Sequence, residues 1–504
     1  MIPELLSKYP EGADLTIMNT YYQFPVFNEG KKVHDDFIVL VYKDNTTGQK
    51  HYEVINEPQY TYYVAKDRGT CDYSKLFIER DKVTPVSVKF KDLEKSIAEV
   101  TDNMDFYKQN LMNRDKASNK KLHTDPDIFF SDVNIEDHYR FKFSNTFTNN
   151  IEKISKGFFD IEVDGKFAAG DFVEMGECEV NCVSFHDEKS DMIYTFILRN
   201  KNNPLIEQFE NKIISKEFNY KKIIHDFVVD KVGGPKMAKK YKLMDTKFSI
   251  GFYDYEIDLI YDLFQTIHKC SPDFVEGWNS SDFDLTYLIE RCRVLGYDPA
   301  DIICDQSWKY KVVKNYVDIR HKNELAERGD YTFISGLPVF IDQMIQYASR
   351  RKSKIGSFKS FKLDDIGLLE AGVKKLDYHH ITQSVLELPW LDFETFVLYN
   401  IMDVVVQKCI EIKTNDLEYI FSKCIVNNTV YKKGHRQTVY LINRMASEWY
   451  KMGYIIGNNV NKWNEKPPKF LGALVGNPLN TNDYSKLKIN GRAVWICDNL
   501  QDYD

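Results

Sequence analysis

The sequence predicts a mixed α/β fold of the α+β kind: a β-rich N-terminal region, then a mixed sheet with helices on its faces. Three observations point there. Runs rich in β-branched and aromatic residues crowd the first part of the chain. Beyond residue 144, three strand-like runs are followed by helical and strand-like runs in alternation. The 504 residues also exceed what one hydrophobic core holds, which implies about two to four domains.

In the first region, Asp36–Tyr42 and Gln59–Val64 are the clearest strands. The polar stretch Asn113–Asp127 reads as a connection or lobe boundary. A second unit begins near Ser144. Its strands are expected at Gly157–Val163, Asn181–His186 and Met192–Leu198, with a turn over Asp187–Asp191. A helix over Asp254–Cys270 follows, then a strand over Asp273–Trp278. A helix over Asp282–Leu295 is stopped by Gly296, and the last helix of the unit spans Asp392–Ile412. A third region starts near Asn427. Val439, Ile442, Ala446 and Tyr450 recur at helical spacing within Arg436–Met452, and Gly453 ends that helix. The joint Pro467-Pro468 and short strand-like pieces follow. The expected domains are therefore 1–143, 144–415, and 416–504, the last returning to the N-terminal domain.

Composition narrows the function classes. Apolar residues at 43% and charged residues at 28% are those of a folded soluble protein. The net charge of −8 lacks the bulk basic signature of a duplex-binding domain, but a local basic patch remains compatible with it. Nine scattered cysteines with no CxxC pair argue against a disulfide framework or zinc site and for a reducing compartment. No apolar run reaches membrane-span length, so no membrane partner and a cytoplasmic location are expected.

The chemistry lies in three short motifs. In a strand over Gly157–Val163, Asp160 and Glu162 share one face and Ile161 takes the other. Two carboxylates on one face of a buried strand call for a cation; a solvent-facing edge strand is the alternative. Asp284 falls in the first turn of a helix that follows a strand, near the carboxyl ends of the sheet where such folds gather ligands. It would equally serve as an acid favoured by the helix dipole. Asp282 is expected to be the cap, and Asn279 to hold the turn or position substrate. Tyr399 and Asp403, four apart, share a helix face, and Val404-Val405-Val406 implies that this face is buried. Two hard divalent cations roughly 4 Å apart, held by such oxygens, activate water and stabilise charge in phosphodiester hydrolysis.

Together, Asp160-Ile161-Glu162, Asn279 to Asp284 after Gly277-Trp278, and Tyr399 to Asp403 resemble the three exonuclease motifs of family B DNA polymerases. Phe361 to Ile366 with Lys375 to Tyr378 resembles the segment before the third motif. Lys451 to Ile456 resembles the stretch that leaves the exonuclease domain. Gly472 to Val475 with Asn477-Pro478 resembles the strand entering the palm. The resemblance covers roughly residues 140–504. It implies a ribonuclease-H-like 3′–5′ proofreading exonuclease and the start of a palm, in a viral or phage replicative polymerase. Asp160, Glu162, Asp284 and Asp403 would hold two Mg2+ or Mn2+ ions, and Tyr399 would assist the attacking water. Asp502-Tyr503-Asp504 looks like the opening of polymerase motif A, with Asp504 as a metal position. Polymerisation would then need palm, fingers and thumb from a second chain or the full-length protein.

The expected partners are DNA, as a single-stranded 3′ end or primer–template, the polymerase C-terminal half and other replisome proteins. Arg350, Arg351 and Lys352, with Lys354, Lys359, Lys362, Phe358 and Phe361, form a basic and aromatic stretch for phosphates and frayed bases. A solvated loop is the other reading. Phe158 or Phe159 beside the first motif would touch a terminal base or fill the core. A stand-alone exonuclease and a non-catalytic scaffold half are the rival functions.

Overall fold

Alternation in Lys156–Val163 sets the architecture of the centre. Phe158 points to one side of this strand, Phe159, Ile161 and Val163 to the other, and each side is covered by helices. The computed structural model describes residues 8–28, 31–69, 77–113, 118–169, 173–215, 219–319, 324–458, 488–489 and 492–493. Residues 1–458 form one compact unit and 459–504 a second.

The N-terminal region holds two three-stranded sheets. β1 (Leu15–Gln23), β2 (Phe37–Asp44) and β3 (Lys50–Asn56) form an antiparallel meander in that order. β4 (Gln59–Ala65) lies between β5 (Val83–Lys89) and the short β6 (Ile128–Phe129). The polar stretch after residue 113 contains a 3-10 turn, Ser118–Thr124. Helix α1 (Ile135–Ser144) closes the region, its first turn capped by the Asn134 side chain.

The central sheet has six strands, β7 (Lys156–Val163), β8 (Val180–Asp187), β9 (Met192–Leu198), β10 (Lys247–Tyr253), β11 (Phe274–Gly277) and β12 (Val339–Asp342). Their spatial order is β10-β9-β8-β7-β11-β12. The pairs β7/β8 and β8/β9 are antiparallel; β9/β10, β7/β11 and β11/β12 are parallel. The mixed sheet matches the expectation, but β10 and β12 are additional to it.

Helices α2 (Glu256–Cys270) and α3 (Asp284–Val294) cover the Phe159 side. The other side is covered by α5 (Phe393–Thr414), which is buried almost all round, as its Val, Ile and Met content requires. Asp392 caps its first turn by accepting the Thr395 amide. Helix α4 (Gln343–Arg350) follows β12 directly. Beyond α5, α6 (Asp416–Val426) sends Leu417, Phe421 and Ile425 into one cluster with Leu15, Ile17 and Phe143. Helix α7 (Gln437–Lys451) adds Ala446 to Phe129 and Phe141, and the strand Tyr454–Ile456 pairs with Phe77–Glu79. Residues 416–458 thus pack on the N-terminal region.

In the second unit a two-residue ladder joins Lys488–Ile489 to Arg492–Ala493. The expected palm entry at Gly472 to Pro478, the Pro467-Pro468 joint and Asp502 to Asp504, with the candidate metal position Asp504, lie outside the described residues.

Candidate functional site

The site arises where two parallel strands separate. β7 pairs with β11 only from Lys156 to Phe158, opposite Phe274 to Glu276. Past Phe158, β7 loses that neighbour, and side chains replace the missing ladder. Asp284 Oδ1 accepts the Ile161 amide at 3.3 Å. Gln407 of α5 donates to the Phe159 carbonyl at 3.2 Å. Such replacement is needed because a buried amide or carbonyl without a partner is costly.

Beside this gap, on the α5 face of β7, the predicted acids meet. Asp160 and Glu162 from β7 and Asp403 from α5 each offer an oxygen, and the three oxygens lie within 4.8 Å of one another. Asp160 and Glu162 are half-buried; Asp403 is 1% exposed, and its Oδ1 has no hydrogen-bond partner. The fourth acid, Asp284, is buried but stands outside that trio, held by the Ile161 amide.

Among the described residues, Lys375 supplies the cation paired with this cluster. Its Nζ lies 2.5 Å from Asp403 Oδ2 and 4.5 Å from the centre of the Tyr399 ring. Tyr399 is buried against Tyr378, edge to face at 5.4 Å. Burial pushes all four carboxyls up. Asp160 rises well above the carboxylate range through burial, then Asp403, Asp284 and Glu162. Glu162 is pushed to about 8 by burial and Asp403, against the pull of Lys375. Asp284 reaches about 7 by burial, opposed by the Ile161 amide. Asp403 reaches about 6 by burial, restrained by Lys375. Burial lowers Lys375, but Asp403, Tyr399, Asp160 and Glu162 outweigh it and raise the ammonium pKa. The donor set fits hard divalent cations: clustered carboxylate oxygens, one orphaned and buried, with too little positive charge beside them.

Local sequence explains the approach of α3. Gly277 ends β11 where a Cβ would meet Ser280 Cβ at 2.5 Å and Phe159 Cε1 at 2.9 Å. Asn279 follows at φ 66°, a left-handed conformation that asparagine tolerates, and its carbonyl accepts the Asp282 and Phe283 amides. Asn279 therefore holds the turn. Asp282 does not cap α3; it accepts from Arg328 Nη1 at 3.3 Å, and Phe283 occupies the cap position. The Ser281 amide is instead held by Asp342 at 3.0 Å. Trp278 Nε1 donates to the Phe361 carbonyl at 2.9 Å, tying this turn to the segment before Lys375.

Several expected nucleic-acid contacts have other partners here. Phe159 is 1% exposed and packs in the core with Ile161 and Leu285, and Phe158 is buried on the opposite side. A ring enclosed in the core offers no face to a base. Arg350 Nη1 lies 2.5 Å from Asp416 Oδ1, and Arg351 Nη1 2.8 Å from Asp416 Oδ2. Their guanidinium groups also cover the Tyr419 and Tyr347 rings at 4.2 and 3.7 Å. Both arginines thus join α4 to α6 and are not free phosphate ligands. Lys352 is paired with Glu327. Phe358 packs against Phe361 and Tyr347 at 5.3 and 5.8 Å, a half-buried aromatic cluster.

The sequence assigns no role to Lys375 and Asn400, which belong to the site, or to Gln407, which only joins α5 to β7 beside it. Helical spacing was the available signal for two of them, since 400, 403 and 407 follow one face of α5.

The description "DNA polymerase family B, exonuclease domain" matches residues 103–366, more than half of the chain. The chain belongs to DNA polymerase family B. The family B match takes in Asp160, Glu162 and Asp284 and stops short of Lys375, Tyr399 and Asp403. The DNA-directed DNA polymerase of Escherichia phage RB69 is 23% identical over 271 residues, 53% of this chain and 26% of that protein. The DNA-directed DNA polymerase of Enterobacteria phage T4 is 23% identical over 247 residues, 49% of this chain and 24% of that protein. The similarity thus spans about a quarter of each of these relatives. No helix among the described residues is long and apolar enough to cross a membrane.

Proposed function

We propose that this family B chain carries a 3′–5′ exonuclease that removes terminal nucleotides from DNA with divalent metal. The observation that carries the reading is the meeting of Asp160, Glu162 and Asp403 from separate elements, within 4.8 Å, in a chain matched to the family's exonuclease domain. Asp160, Glu162, Asp284 and Asp403 would hold Mg2+ or Mn2+, and bound ions of this kind supply water activation and charge neutralisation at a phosphodiester.

The chain's own residues have separable tasks. Asp160 and Glu162 present their charges on one face of β7, which the flanking strand β8 fixes in register. Lys375 holds Asp403 and lies over the Tyr399 ring, so a phosphate entering beside them meets an ammonium. Tyr399 keeps its proton, since burial and Asp403 raise its pKa, and it is a hydroxyl donor for water or phosphate. Asn279 sets the turn from which Asp284 emerges.

The substrate is a single-stranded 3′ end, in the cytoplasm of a host cell. Polymerisation, replisome partners and the division into 1–143, 144–415 and 416–504 belong to the same proposal. The test is a gel assay with 5′-labelled single-stranded DNA and Mg2+. A ladder shortened from the 3′ end, absent for Asp160→Ala with Glu162→Ala, is expected. A folded wild-type chain that leaves the DNA intact, alone and with the remainder of the polymerase added, would overturn the reading.

A further inference from the structure

We propose that Asn400 is the positioning residue for the Asp160 carboxylate, and that it sets the affinity of the acidic site for divalent cations. This rests on the nuclease reading above. Asn400 is fully buried on α5 beside Tyr399. Its Nδ2 donates to Asp160 Oδ2 at 3.0 Å as well as to the Asp160 carbonyl at 3.3 Å. Its Oδ1 faces Cys182 Sγ at 3.6 Å. Cys182 is itself buried and stands opposite Glu162 in the β7/β8 ladder.

These contacts fix which way the amide points. A thiol is a donor, so Oδ1 belongs towards Cys182; the reversed amide would set its oxygen against two oxygens of Asp160. The amide nitrogen thus grips both the side chain and the backbone of one residue. Asp160 needs that grip, because Glu162, Asp403 and Asp284 all repel its charge. A donor at 3.0 Å favours the ionised form and holds Oδ2 towards the helix. Among the described residues, Asp160 Oδ1 then accepts no hydrogen bond and is free for a cation.

Gln407 provides the contrast. It lies on the same face of α5 and donates to the Phe159 carbonyl at 3.2 Å, joining helix to strand without touching a carboxylate. If Asn400 only joined α5 to β7, its loss would resemble the loss of Gln407.

The experiment titrates Mn2+ into the 504-residue chain, following free Mn2+ by electron paramagnetic resonance, for wild type, Asn400→Leu and Gln407→Leu. The midpoint is expected to rise about 10- to 100-fold in Asn400→Leu, as for other residues that orient metal ligands, and to stay near wild type in Gln407→Leu. Hydrolysis by Asn400→Leu should recover towards wild type as Mn2+ is raised, with KM for DNA ends unchanged. A wild-type midpoint in Asn400→Leu, or equal shifts in both variants, overturns the role while leaving the nuclease reading intact. A wild-type chain that takes up no Mn2+ overturns that reading and this role with it. Should Asn400→Leu fail to fold, Cys182→Ala keeps Asn400 but removes the partner of its Oδ1. A several-fold rise in midpoint is then expected, and no rise overturns the proposal.

Discussion

Lys375 Nζ stands 2.5 Å from Asp403 Oδ2, deep in a cluster where carboxylates outnumber cations. The pair joins the segment before α5 to the helix itself. It lets Asp403 remain ionised in a place where burial opposes charge.

Replacing Lys375 by methionine should therefore destabilise the metal-free protein by about 3 kcal/mol near neutral pH, since one partner of a buried pair is removed. Chemical denaturation in chelator measures it. Added Mg2+ should restore most of the loss, because the cations take over the neutralising charge. A variant as stable as wild type in chelator would show that the carboxyls carry protons there already.

The carboxyl pKa values give the metal-free protein a pH-dependent stability. Asp403, Asp284 and Glu162 are raised to about 6, 7 and 8 in the folded state. The folded chain therefore binds more protons than the unfolded chain between their ordinary and raised values. Stability from this source is complete below the ordinary carboxylate range and is lost as pH rises from there, the contributions of Asp403, Asp284 and Glu162 ending at about 6, 7 and 8 in turn. Melting temperature in chelator should fall across that window, and Mg2+ should flatten the fall. A rise with pH would contradict the assignment.

Asp284 accepts the Ile161 amide, so charge and hydrogen bonding can be separated there. Asp284→Asn keeps an acceptor oxygen and should cost little stability. Asp284→Ala leaves a buried amide unpaired and should cost about 1–3 kcal/mol. Both should lose nuclease activity. Equal stability of the two variants, measured by urea unfolding, would sink the structural half of this statement.

Arg350 and Arg351 both bind the buried Asp416. Arg350→Ala with Arg351→Ala should destabilise the fold by about 3–5 kcal/mol, leaving an uncompensated carboxylate, and should leave the salt dependence of DNA binding unchanged. A stable double variant with a shallower salt slope would return these arginines to the DNA.

What was legible in the sequence is what repeats locally. Asp160 and Glu162 share a strand face by alternation, and Tyr399 and Asp403 share a helix face by spacing; β7 to β9 were readable from β-branched and aromatic runs. β10 was hidden because Gly251 interrupts its pattern, and β12 because four residues carry little periodic signal. The missed parts of the site are non-local pairings. Nothing near Arg350 announces Asp416, nothing near Asp282 announces Arg328, and nothing near Lys375 announces Asp403. A run of basic residues looks available until its distant partners arrive.

The divergence of β7 from β11 gives the four acids unequal evolutionary fates. Removing Asp160 or Glu162 relieves crowding of like charge and leaves the strand's ladder to β8 in place. Removing Asp284 also opens the backbone at Ile161. Lineages that abandon nucleolysis should therefore shed the acids of β7 first and retain an acceptor at position 284 long after the activity has gone.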